Sequence, residues 1–322
     1  LRPIILGICA AFFFAFTFVL NRAMDLSGGS WIWSASLRYF FMVPLLLFIV
    51  GWRKGLLTLF REMKKEFHNW LLWSFIGFVL FYAPLCFASA YGPGWLIAGT
   101  WQITIISGSL LVPIFYETIQ TEKGLIRIRG QIPYKGLVMS FIILIGVAIM
   151  QLEHATKLSV KDAVLCVIPI LIASFAYPLG NRKMMEVCNG KLDAYQRVLG
   201  MTIASLPFWF FLSIFGYFIV GLPSKEQVAQ SGLVAIFSGV FATVLFFAAT
   251  DLVKGNMKKL GAVEATQSME VLFAVAGEII ILSAPLPSAV SLFGMMLVII
   301  GMVLHSWISA RKESIKSDAV SA

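Results

Sequence analysis

The chain has 322 residues, 59% of them hydrophobic and only 13% charged, with a formal net charge of +9. A soluble domain carries about a quarter charged residues, so this composition excludes a water-soluble globular protein and points to an all-α polytopic membrane protein. The first apolar run lacks a basic segment followed by a small-residue cleavage site, and it reads as a retained helix rather than a signal peptide.

Crossing hydrocarbon takes about 17–25 apolar residues in a helix. Ten runs meet this: 3–20, 31–51, 69–90, 95–116, 134–151, 163–180, 194–220, 230–250, 261–284 and 288–309. They show no two-residue alternation and are too long for barrel strands. The first carries Gly7, Ala10 and Ala11, small residues suited to close helix packing, and ends in "FAFTFVLNRAM" (14–24). The second opens on Trp31 and Trp33, read as interfacial belt residues, and holds Arg38 about two turns in. The third contains Tyr82; a "YGPG" turn (91–94) leads to the fourth, with Thr100, Trp101, Gln102 and Thr104. The sixth ends in "FAYPLGNRKMM" (175–185), and the seventh has Arg197 near its start. The ninth, "GAVEATQSMEVLFAVAGEIIIL" (261–282), carries Glu264, Glu270 and Glu278. The tenth has Gly294 and Gly301 two turns apart, for an interface within the monomer or with a second copy.

Lysine and arginine placement sets the orientation. The loops 52–68 and 117–135, the segments 181–197 and 251–260, and both termini hold most of the basic residues; the opposite loops hold only Arg22, Lys157, Lys161 and Lys225. Both termini are expected in the cytoplasm. The positive charge then serves topology and attraction to anionic membrane lipids, with no nucleic-acid partner required.

Two halves share an order of landmarks. The aromatic-Ala-aromatic triplets precede Asn21-Arg22 and Asn181-Arg182; Arg38 corresponds to Arg197, "GTWQ" (99–102) to "EATQ" (264–267), and Gly146 to Gly301. Five spans per half make the second copy cross in the opposite sense. The expectation is an inverted-topology repeat, residues 1–156 and 157–322, in one transmembrane domain.

The stretches "NRAMDLSGGSWIWSASLRYFF", "YGPGWLIAGTWQITIISGSLLVPIFYE", "AYPLGNRKMMEV", "GAVEATQSMEVLF" and "LPSAVSLFGMMLVIIGMVL" resemble the drug/metabolite transporter superfamily. Within it the chain resembles the ten-helix EamA-like proteins and, more closely, the multidrug resistance efflux transporter family. The EamA-like pattern has a proline at or beside the position of Glu270 and a Leu-Gly-Glu where this chain has Leu282-Ser283-Ala284. The resemblance implies ten helices around a central cavity, and export of small molecules.

Glu264, near a helix start, reads as interfacial. Glu270 lies about 14 Å into its helix at about 1.5 Å per residue, where an ionised carboxylate costs several kcal/mol unless paired. It reads either as a proton- or cation-coupling group, together with Glu278, or as half of a structural ion pair. Arg38 reads as a partner of a ninth-span glutamate or as a site for an anionic group of a substrate; Arg197 is expected to snorkel to the surface. Thr100, Trp101, Gln102 and Thr104 with Thr266 and Gln267 form a polar layer, with Tyr82 and Trp101 available to stack on flat or cationic ligands. Gln102 and Gln267 are placed either in the cavity or in a bond across helices.

Four scattered cysteines without a CxxC pair, and three histidines without a ligand spacing, offer no disulfide framework, metal site or cofactor site. The expected function is not enzymatic. It is export of small organic, cationic or amphipathic compounds across the inner or plasma membrane by proton antiport, with protons and a small-molecule substrate as partners. The alternatives are a facilitator of a neutral or zwitterionic metabolite and a non-transporting lipid-interaction protein. A homodimer is left open.

Overall fold

A computed structural model describes residues 1–92, 94–121, 124–152, 159–282 and 286–318. The chain is mostly helical, in the order α1 (Arg2–Leu26), α2 (Trp31–Trp52), α3 (Leu56–Lys65), α4 (Phe67–Ser89), α5 (Gly94–Trp101), α6 (Ile103–Leu110), a hairpin of β1 (Tyr116–Thr121) and β2 (Gly124–Arg129), α7 (Tyr134–Leu152), α8 (Val160–Cys188), α9 (Ala194–Val220), α10 (Lys225–Asp251), α11 (Met257–Ala265), α12 (Met269–Leu282) and α13 (Ala289–Asp318). Among the described residues, α1, α2, α4, α8, α9 and α10 are long and apolar enough to cross a membrane. The shorter apolar stretches Tyr134–Met150 and Ala289–His305 lie in α7 and α13.

The molecule is built for an apolar solvent. Large hydrophobic side chains such as Phe211, Phe218, Ile168, Phe141 and Phe293 face outward, whereas Asn21, Arg38, Gln102, Arg182 and Glu270 are buried. In water this would be an inverted distribution; in lipid it removes the costly groups from the tails.

The expected fourth and ninth spans are broken rather than continuous. The fourth divides at Gln102, between α5 and α6, and the ninth passes through a 3₁₀ turn at Thr266–Ser268 between α11 and α12. Local bonding explains both breaks. Gln102 Nε2 donates to Ala98 O at 3.1 Å, Thr266 Oγ1 to Val263 O at 2.6 Å, and Ser268 Oγ to Ala265 O at 2.8 Å. Such back-bonds compete with the helical ladder and tighten or bend it. The fourth span also ends early, at Leu110, because Pro113 belongs to a 3₁₀ turn, Val112–Ile114.

Two further elements depart from the helical expectation. The basic loop 117–135 contains the antiparallel hairpin, with Tyr116 opposite Arg129 and Ile119 opposite Ile126; β-branched and aromatic residues there favour extended backbone. In the loop 52–68, α3 packs Leu59 inward and is tied to the turn after α8 by Lys191 Nζ donating to Glu62 Oε2 at 3.2 Å.

The bundle packs α8 against α4, α2 against α9, and α1 against α10 and α12; α7 and α13 form a closely packed pair that also meets α11. Gly146 and Gly294 bring that pair together, since a Cβ on Gly294 would meet Met150 Cγ at 2.6 Å and the amide of Met150 at 3.1 Å. Gly301 packs on Ile143. The small residues of the last helix thus serve packing within one chain. Gly77 meets Gly180 backbone to backbone where α4 crosses α8.

Candidate functional site

Glu270 sits in the first turn of α12, just past the break in the ninth span, and is 1% exposed. It lines a small cavity with Gln267 from the 3₁₀ turn, Trp101 from the end of α5, Tyr177 from α8, and Phe81 from α4. Phe14, Thr17 and Phe18 of α1 close it. The space admits little more than a water molecule.

The walls are aromatic and mutually packed. Phe81 and Tyr177 have centroids 4.6 Å apart, Phe81 and Trp101 5.1 Å, and Tyr177 and Phe246 5.7 Å in a stacked arrangement. Trp101 and Glu270 line the same cavity. Among the described residues no basic side chain pairs with Glu270. A carboxylate in this setting is stable only with a proton or a cation beside it, because several kcal/mol of desolvation is otherwise uncompensated.

Glu264, expected at the interface, is instead buried at 4% exposure and held by Arg182. Arg182 Nε donates to Oε1 at 2.9 Å and Nη2 to Oε2 at 2.6 Å, a bidentate arrangement. Arg182 therefore does not act as the surface charge that its loop position suggested. Arg197 does not snorkel either: it is 2% exposed, donates through Nη1 to Asp251 Oδ1 at 2.5 Å and through Nη2 to Phe247 O at 3.2 Å. Each lies near a helix end, where a charge ordinarily reaches the surface; here helix packing buries both.

Arg38 pairs with neither Glu264 nor Glu270, the two ninth-span glutamates among the described side chains. Its guanidinium lies 4.0 Å from the Tyr82 ring centroid and 5.7 Å from that of Tyr39. Tyr82 is also contacted by Asn21, whose Nδ2 donates to its hydroxyl at 3.5 Å. Tyr82 thus serves Arg38 rather than the Glu270 cavity.

Of the remaining polar layer, only Trp101 and Gln267 reach the cavity. Gln102 bonds within its own helix and not to Gln267. Thr104 Oγ1 donates to Ser174 O at 3.2 Å, anchoring α6 to α8. Thr266 packs against Gly7 of α1, and Thr100 is half-buried and does not line the cavity. Glu278 lies in α12, but its side chain is outside the described residues. Trp33 is not a belt residue: its indole Nε1 donates to Gly221 O at 2.9 Å and the ring is 8% exposed.

The cavity-lining residues missed in sequence are Phe14, Thr17, Phe18, Phe81, Leu85 and Tyr177. A signal existed for two of them, since Phe14 and Tyr177 belong to the aromatic-Ala-aromatic triplets, and their rings meet edge to face at 6.3 Å.

The chain is similar to "Uncharacterized protein YjlA" of Bacillus subtilis (strain 168), 56% identical over 309 residues that cover 96% of this chain and 95% of that protein. It is also similar to an "Uncharacterized 42.1 kDa protein in intracellular alkaline protease 3'region" of Shouchella clausii, 48% identical over 84% of this chain and 70% of that one. A solved crystal structure at 10% identity superposes over 97% of this chain and 98% of its own with a TM-score of 0.70, which establishes the shared fold alone. The family described as "Putative multidrug resistance efflux transporter" matches residues 1–311. A buried carboxyl in an aromatic cavity among apolar helices is an arrangement a membrane efflux protein can use, and by that match the chain belongs to the EmrE family of efflux transporters.

Proposed function

We propose that the protein is a ten-span exporter of the cell membrane that moves small cationic or amphipathic organic compounds outward in exchange for protons. The carrying observation is Glu270: buried, without a basic partner among the described residues, and facing an aromatic cavity. Such a carboxyl holds a proton or an organic cation but not both at once. With access alternating between the two sides, proton entry then drives substrate exit. Trp101 and Tyr177 supply ring faces for a flat or cationic ligand, and Glu278 is proposed as a second coupling carboxyl on the same helix.

Two structural correspondences support a pair of inverted five-helix repeats, residues 1–156 and 157–322. The π-helical turn Phe75–Val79 in α4 has a counterpart, Ala235–Ala242, in α10, the equivalent helix of the second half. The break at Gln102 likewise matches the break at Thr266–Ser268. Irregular turns in equivalent helices around a central site suit rocking between two similar states. The cavity is too small for an organic ligand, so binding requires these helices to part.

Reconstituted vesicles test the reading. An aromatic monocation such as tetraphenylphosphonium should move against an imposed proton gradient in wild type, and Glu270→Gln should fold but lose the coupling. Full gradient-driven flux in that variant would overturn the proposal.

A further inference from the structure

A second cavity lies away from Glu270, at the end of the bundle that carries the basic loops 117–135 and 251–260. It has a volume of about 330 Å³, within the range of small-ligand sites. Gln131, Tyr134 and Lys135 line it where the chain enters α7, with Lys258 from α11 and His305 and Ile308 from α13. The three helices meet here because α11 packs on both members of the α7–α13 pair.

Two ammonium groups from separate helices share this space. Lys135 and Lys258 are exposed and stand in the first turns of α7 and α11, so each is joined by the positive end of a helix dipole. His305 forms a buried wall at 2% exposure. Its ring fits where side chains are missing: a Cβ on Gly136 would lie 3.0 Å from Nε2, and one on Gly261 3.7 Å from Cε1. An apolar surface begins at the same place. Tyr134, Val138, Phe141 and Ile145 are exposed at three- and four-residue intervals, one stripe along α7. On α13, Val303 and Trp307 are exposed next to the cavity residue Ile308.

We propose that this cavity binds the headgroup of an anionic phospholipid from the cytoplasmic leaflet, the leaflet that the placement of basic residues assigns to this end. The phosphate takes Lys135 and Lys258, one ammonium from each helix, while the acyl chains follow the α7 stripe. A lipid suits the site better than a soluble phosphate because Tyr134 both borders the cavity and starts that stripe. Charged group and chains are then accommodated at once. The bound lipid ties α7 to α11, and α11 leads into the break before Glu270. The site is separate from the Glu270 cavity, and its occupation does not depend on the exchange reading.

The test titrates purified full-length protein in mild detergent with phosphatidylglycerol or phosphatidylcholine and counts bound lipid by native mass spectrometry. Wild type should bind phosphatidylglycerol about tenfold or more tightly, the scale of two lysines facing an anionic headgroup. Lys135→Gln combined with Lys258→Gln should lose that preference, and Lys135→Arg combined with Lys258→Arg should keep it. Both lysines are exposed, so neither replacement opens a packed interior. Lys64→Gln combined with Lys65→Gln removes two charges from α3, outside the cavity, and should leave the preference intact. Equal affinity for the two lipids in wild type would overturn the proposal, as would a preference that survives the loss of Lys135 and Lys258. An equal loss in the α3 variant would assign the effect to diffuse surface charge and overturn it too. Displacement of phosphatidylglycerol by inorganic phosphate at equal concentration would overturn it in favour of a soluble anion.

Discussion

Arg182 grips Glu264 through two nitrogens, at 2.9 and 2.6 Å, with both side chains buried. The pair joins α8 to α11, the helix that immediately precedes the break that positions Glu270. Removing one partner strands the other charge in an apolar interior, at a cost of about 3–5 kcal/mol. Arg182→Gln and Glu264→Gln are each expected to lower the unfolding midpoint in detergent. The double variant should be much less destabilised than the sum of the two, and strict additivity would count against a coupled pair.

Arg38 should behave in the opposite way. Among the described residues it has no carboxylate to strand, so Arg38→Met removes a desolvated charge while losing a stacking contact of about 2 kcal/mol. Thermal unfolding should show a midpoint unchanged or raised. A loss as large as that of Arg182→Gln would reveal a hidden counter-ion.

Close backbone approach makes a separate forecast. A Cβ on Gly180 would collide with the backbone of Gly77, which cannot give way as a flexible side chain can, whereas Gly232 has open space around its Cβ position. Gly180→Ala is expected to destabilise by about 1–3 kcal/mol through overpacking. Gly232→Ala, in a helix interior, should be neutral or stabilise by about 0.5–1 kcal/mol. Unfolding curves of the two variants side by side decide this.

Trp101 gives a prediction about the cavity. Trp101→Phe keeps a ring in the wall and removes the indole N–H from the cavity that Glu270 lines. Binding of aromatic cations should survive while its proton dependence changes, as read by titrating affinity at several pH values. An unaltered proton dependence would detach Trp101 from the coupling carboxyl.

The membrane class and most helices were legible from the sequence because long apolar runs answer directly to hydrocarbon thickness. The burial of Glu270 was legible too, since depth along a helix follows from residue count; whether a basic residue faced it was not. Partner choice was not. Arg182 and Glu264 lie 82 positions apart, and only the crossing of their helices brings them together. The same holds for Arg38, whose neighbour proved to be the ring of Tyr82 rather than a glutamate. The helix breaks at Gln102 and Thr266–Ser268 escaped because side-chain back-bonds to local carbonyls leave no hydropathy signal.

The central claim is that a proton and an organic cation compete for Glu270. Its most direct measurement is proton release from purified protein in weakly buffered detergent solution on addition of tetraphenylphosphonium. Wild type should release protons in proportion to the ligand bound, and Glu270→Gln should release none. Release of the same size from a folded Glu270→Gln, or saturable binding by wild type with no release at any pH, would contradict the account.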